Sequence, residues 1–217
     1  MDPFRLCLAL GPLAVYSLCL AMMHLSRRAW VVNGTRDLIA LGVGVAGFVL
    51  IGPIELILPV ESWTSYRVYA WIVVLVIYGV TLTLVALLGR PRITVYNIPA
   101  EVFRAVLSQA ASALDPRSRW AGNSLVMPQL DVELNVEAMS PMQTVTIVAT
   151  HEEQQLAGWR TLESTLVGEL RKVQRPRNPW GYLFLSVALL LGSVIVFQLV
   201  DKKDEVVQGF HEMLRLD

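Results

Sequence analysis

Four long apolar runs alternate with polar stretches along this chain. Leu6–Met23 (LCLALGPLAVYSLCLAMM), Leu38–Val60, Ala70–Leu88 and Leu183–Val200 carry one acidic side chain among them, Glu55, and no basic one. As helices rising about 1.5 Å per residue, each is long enough to cross a hydrocarbon core of roughly 30 Å. No small-x-small cleavage site follows Met23, so the first run reads as a retained span rather than a signal peptide. Gly11-Pro12 is expected to loosen that helix. Leu25–Asp37 and Glu61–Tyr69 read as short polar connections, the second flanked by interfacial aromatics. In the second run, Ala40/Gly44 and Gly42/Ala46 are small-xxx-small pairs that let helix backbones approach in lipid. The loop after it is so short that the second and third spans are expected to be antiparallel neighbours.

Between the third and fourth runs the pattern changes period. Ile93–Ile98 (ITVYNI) predicts a strand, and Pro99 opens a helix whose apolar face is Val102, Phe103, Val106, Leu107, Ala110 and Leu114. Asp115-Pro116 stops it. Gly122-Asn123 predicts a hairpin within Arg119–Met127. Leu130, Val132, Leu134 and Val136 alternate with Asp131, Glu133, Asn135 and Glu137, the period of a strand with one wet face. After Ser140-Pro141, Gln143–Thr150 predicts another strand, with Val145, Ile147 and Ala149 inward. From Glu152 to Val173 the period becomes helical, with a stripe of Leu156, Trp159, Leu162, Leu166, Leu170 and Val173. The order predicts an α+β domain, two helices on one face of a mainly antiparallel sheet.

The expected fold class is therefore an α-helical membrane protein with four transmembrane helices and a small soluble α+β domain inserted between helices 3 and 4. The membrane part is 1–90, with spans near 6–23, 38–60 and 70–88. The soluble domain is 91–177, the fourth span 181–200, and the tail 201–217 an amphipathic or disordered segment.

Composition fits that division. Of 217 residues, 54% are hydrophobic and only 17% charged, against roughly a quarter charged in soluble domains. The 18 basic and 18 acidic residues cancel, so no overall field would recruit nucleic acid. Basic residues gather where the insert meets the apolar runs: Arg27, Arg28, Arg36, Arg90, Arg92, Arg171, Lys172, Arg175 and Arg177, with Trp180 and Tyr182 at the start of the last span. The other side carries Arg5, Arg67, Lys202, Lys203 and Arg215. The positive-inside bias predicts a cytoplasmic domain with both termini outside. The layout resembles that of small multi-pass proteins of the bacterial inner (plasma) membrane.

Candidate chemistry is sparse. Cys7 and Cys19 would stand about 18 Å apart on one helix, beyond the reach of a disulfide. No phosphate loop, dinucleotide fingerprint, zinc-protease helix or nucleophile elbow is present, and no metal or cofactor set is expected. His151 in the insert lacks a sequence-evident partner. The alternation of Asp131, Glu133 and Glu137 is explained as a solvated strand face. Trp120 and Tyr96 are aromatic enough to stack a ligand, but suit a core as well. Glu55, an acid inside an apolar run, is a candidate intramembrane functional group. The expectation is a non-enzymatic scaffold or complex subunit with the lipid bilayer and either a protein partner or a second copy as its company. The alternative is a small oligomeric transport or proton-linked component using Glu55.

Overall fold

The period-two stretches pair into a single antiparallel sheet, with two amphipathic helices on one of its faces. The computed structural model describes residues 3–57, 67–150, 156–173 and 178–214. In chain order these form α1 (Pro3–Leu25), β1 (Trp30–Asn33), α2 (Gly34–Ile57), α3 (Arg67–Leu88), β2 (Arg92–Tyr96), α4 (Ala100–Leu114), β3 (Arg119–Ala121), β4 (Ser124–Met127), β5 (Val132–Met139), β6 (Thr144–Ala149), α5 (Leu156–Arg171), α6 (Trp180–Asp201) and α7 (Lys203–Leu214). A 3-10 turn, Ser140–Met142, joins β5 to β6. The chain divides into two compact units. One gathers most of the apolar helices. The other comprises Ala21–Asp37 and Leu88–Tyr182 and contains the whole sheet.

The sheet order is β1-β2-β6-β5-β4-β3. After β2 the chain runs through α4 to the far edge, then returns by a four-strand meander that brings β6 beside β2. The expected alternation is present: Val132 and Leu134 of β5 and Val145, Ile147 and Ala149 of β6 are buried on one face. Ile93, Val95, Leu125 and Met127 join them, and Phe103, Leu107 and Ala111 of α4 and Leu162, Leu166 and Leu170 of α5 close over the same core. Burying a side chain of this size contributes about 1.5–3 kcal/mol. Gly122 turns the β3–β4 hairpin with φ +64, the positive value at the first central position that favours glycine in a two-residue loop.

One element departs from the sequence expectation. The connection Leu25–Asp37 is not a plain linker, because it contains β1, which pairs antiparallel with β2 from Trp30↔Tyr96 to Asn33↔Ile93. Its Trp-Val-Val run is aromatic and β-branched, but four residues show no usable period, and the partner lies some sixty residues away. The sheet domain is thus not made from the 91–177 insert alone. Part of the last predicted helix, residues 152–155, lies outside the described residues.

In the apolar unit, three helical stretches are long and apolar enough to cross a membrane: Pro3–Leu25, Gly34–Gly52 and Trp180–Asp201. Ile72–Leu88 of α3 is a shorter apolar stretch. Three glycines of α2 face two neighbouring helices. A Cβ at Gly47 would strike the backbone oxygens of Leu8 and Ala9, the latter at 2.7 Å, and one at Gly44 would meet Tyr16 at 2.9 Å. Both therefore face α1. Gly42 faces α3, where Leu82 covers it and the Tyr78 hydroxyl donates to its carbonyl at 2.7 Å. Of the expected Ala40/Gly44 pair, Gly44 meets α1 and Ala40 is exposed. The tail forms α7, and Phe210 meets Phe4 edge-on at 5.8 Å.

Candidate functional site

A buried polar cluster lies where α1 ends, β2 ends and α6 begins. His24, in the last turn of α1, is 1% exposed, and Asn178, two residues before α6, is equally buried. The Asn178 side-chain amide donates to the Met142 carbonyl at 2.8 Å and lies 3.2 Å from His24 Nδ1. Its Oδ1 accepts the Trp180 N–H at 3.1 Å, capping the start of α6. The backbone is tied as well, with Asn178 N–H donating to the His24 carbonyl at 3.2 Å. The His24 ring stands perpendicular to Tyr96 at 5.7 Å, and the Tyr96 hydroxyl donates to Asp37 at 2.7 Å. Next to it, fully buried Asn97 takes φ 63 and donates its amide to the Ser26 carbonyl at 2.5 Å. One chain of contacts thus joins the segments around α1, α2, the 3-10 turn and α6.

A second buried polar group organises the far side of the sheet domain. Asp115 is fully buried, and its two carboxylate oxygens accept the N–H groups of Arg117 and Gln129, each at 2.8 Å. The same residue ends α4 by donating its own N–H to Ala111. Trp120 is likewise absorbed into the fold. Its indole N–H donates to Ser108 at 2.9 Å, and the Arg104 guanidinium lies 4.3 Å over its ring while donating to the Gly122 carbonyl. Neither Trp120 nor Tyr96 is left as an open stacking platform: each is engaged by the domain itself.

The predicted interface residues distribute as follows. Arg27, Arg28 and Arg36 are exposed. Arg90 reaches the Thr150 carbonyl at 3.5 Å, and Arg92 lies over Gly34, donating to its carbonyl at 3.4 Å. Arg171 is exposed at the end of α5, and Lys172 pairs with Glu169 at 2.6 Å. Arg175 and Arg177 lie outside the described residues. Trp180 opens α6, and Tyr182 is exposed in its first turn. Glu55 falls within α2, but its side chain is not among those described. His151 is also outside them. Glu133 and Glu137 occupy the face of β5 opposite Val132 and Leu134, as the alternation requires.

Among the described residues no group of three or more His, Cys, Asp or Glu side chains is placed to hold a metal. An apolar groove of about 450 Å³ runs along α3 past Leu75, Gly79, Thr83 and Leu87. The sequence missed His24, Asn97, Asp115 and Asn178. Asn-Pro before an apolar run is a legible helix-capping signal for Asn178; nothing local marks the burial of the other three. No protein-family model matches the chain, and no curated protein or solved structure matches it.

Proposed function

We propose that this protein is a four-span membrane protein of the bacterial inner membrane that presents a small cytoplasmic interaction domain, as a non-enzymatic scaffold or subunit of a membrane complex. The observation that carries this reading is β1. The sheet takes its edge strand from the eight residues between α1 and α2, and the end of α1 and the starts of α2 and α6 all belong to the sheet unit. A domain woven from the ends of apolar helices is built to stay with them. Its polar side chains support the same reading, because Asp115, Asn178 and Trp120 spend their hydrogen bonds on the domain's own backbone and side chains.

In-cell crosslinking followed by purification of the full chain in mild detergent tests the reading. A defined companion or a homo-oligomer is expected, and a lone monomer would overturn it. The orientation is tested separately in a Cys7→Ser/Cys19→Ser background. A Glu101→Cys substitution at an exposed position of α4 is expected to react with an impermeant maleimide only after the cells are opened.

The second reading is a transport or proton-linked role for Glu55. It is favoured by α2 being packed through glycine on two sides, against α1 and α3, which makes the helix carrying this acid the central one of the three. Glu55→Gln without loss of a cell-based phenotype would remove it.

A further inference from the structure

We infer that the segment joining α1 to α2 is a binding surface for the headgroups of anionic glycerophospholipids. The inference rests on the reading that these helices span a bilayer, and it adds the class of lipid the protein holds. Ser26–Arg36 contains Arg27, Arg28 and Arg36 and no acidic residue, and Arg90 and Arg92 follow directly on α3 with no acid between them. Arg27, Arg28 and Arg36 are exposed and make no side-chain hydrogen bond or ion pair with any described residue. The nearest acid in sequence, Asp37, already accepts the Tyr96 hydroxyl at 2.7 Å. Arg92 brings a further guanidinium to the first turn of α2 through its contact with Gly34. Trp30, at the start of β1, is 48% exposed.

The placement of these residues decides the ligand. Arg27 and Arg28 lie two and three residues beyond the end of α1, and Arg36 lies in the first turn of α2. The ends of a spanning helix lie at headgroup depth, where exposed Trp and Arg are at home. Guanidinium groups match phosphate oxygens in a planar, two-pronged geometry. β1, which lies between Arg28 and Arg36, is hydrogen-bonded into the sheet, so the spacing between the two ends of the basic segment is set before lipid binds. That lowers the entropic cost of collecting several phosphates.

The experiment uses the full-length chain, first reconstituted in phosphatidylcholine nanodiscs and then presented in detergent with equal phosphatidylglycerol and phosphatidylcholine. Native mass spectrometry reads the retained lipid. Wild type is expected to retain phosphatidylglycerol at least about tenfold over phosphatidylcholine. The combined variant Arg27→Gln/Arg28→Gln/Arg36→Gln should lose most of that preference, since each basic residue near the surface contributes roughly fivefold. Arg117→Gln/Arg160→Gln, which removes two exposed arginines elsewhere on the sheet domain, should keep it. A chain that enters phosphatidylcholine nanodiscs but shows no preference, or a triple variant that keeps the full preference, overturns the inference and leaves the membrane reading standing. A chain that does not enter nanodiscs at all overturns both. Equal displacement of the bound lipid by millimolar inorganic phosphate would show a generic anion site and would also overturn it.

Discussion

Asp115 is the sharpest test of how the sheet domain is held. Its carboxylate is buried at the end of α4 and accepts two backbone N–H groups, from Arg117 in its own turn and from Gln129 at the corner between β4 and β5. Asp115→Ala removes both acceptors at once. A hydrogen bond to a charged group contributes about 1.5–3 kcal/mol, and an orphaned buried donor costs a similar amount. Arg117 and Gln129 are themselves exposed residues, so water can reach part of what is lost. The expected cost is therefore about 2–4 kcal/mol rather than the full sum of two such bonds. Hydrogen exchange read by mass spectrometry on the full chain in detergent measures it locally. Amides in the 112–132 region should exchange about 30- to 700-fold faster, at about 1.4 kcal/mol per tenfold. Asp115→Asn should fall between, because the amide keeps one acceptor and turns an N–H toward the other donor. If exchange in the alanine variant stays within about threefold of wild type with helicity unchanged, the carboxylate does not hold the corner and the reasoning fails.

Three further outcomes are expected. Gly47→Ala forces a methyl against the α1 backbone and should lower the melting temperature in detergent, at a cost of about 1–3 kcal/mol for overpacking; Gly52→Ala, with open space around it, should melt like wild type. Asn178→Ala leaves the Met142 carbonyl and the Trp180 N–H without their partner and should cost about 2–3 kcal/mol, read as faster exchange around 20–33 and 140–144. A fragment of residues 89–177 lacks β1 and exposes the edge of β2, so it should aggregate. Residues 26–33 joined to its front by a glycine linker should give a soluble domain with cooperative melting, and equal behaviour of the two fragments would show that the β1 pairing contributes nothing.

What was legible in the sequence follows the range of the interactions involved. The faces of α4, β5, β6 and α5 were readable because a period of two or 3.6 over several residues is a local property. The Gly122 turn was readable for the same reason. β1 was not, since four residues carry no period and their partner strand is remote. The same reason hides the polar cluster. His24 looks like the polar end of an apolar run, Asn97 like the tail of a strand and Asp115 like a helix stop. Each local reading is sound, but burial and partners come from segments far away in the chain. The basic residues were legible in sequence, whereas the engagement of Arg92 by Gly34 and of Lys172 by Glu169 was not. Trp120 and Tyr96 suited either a ligand platform or a core by residue type alone, and their engagement by Arg104 and His24 decides for the second.

The packing of α2 on α3 also explains how β1 comes to lie along the edge of β2 that β6 leaves open. Between the two strands lie α2 and α3, of 24 and 22 residues. Helices so nearly matched, rising about 1.5 Å per residue, return the chain to within a few ångströms of the level at which it left. The contact of Gly42 with Leu82 shows that they do so, because Gly42 lies eight residues after the start of α2 and Leu82 six before the end of α3. The chain therefore leaves α3 close to the start of α2, which is where β1 ends, and Arg92 at the start of β2 reaches the Gly34 carbonyl. Two strands leaving that meeting point side by side run antiparallel, as the register from Asn33↔Ile93 to Trp30↔Tyr96 shows. Docking of α2 on α3 shortens the free chain between β1 and β2, so less closure entropy opposes their pairing. A substitution that pries α2 from α3, as a bulky side chain at Gly42 would, should then loosen β1 before it loosens the core of the sheet.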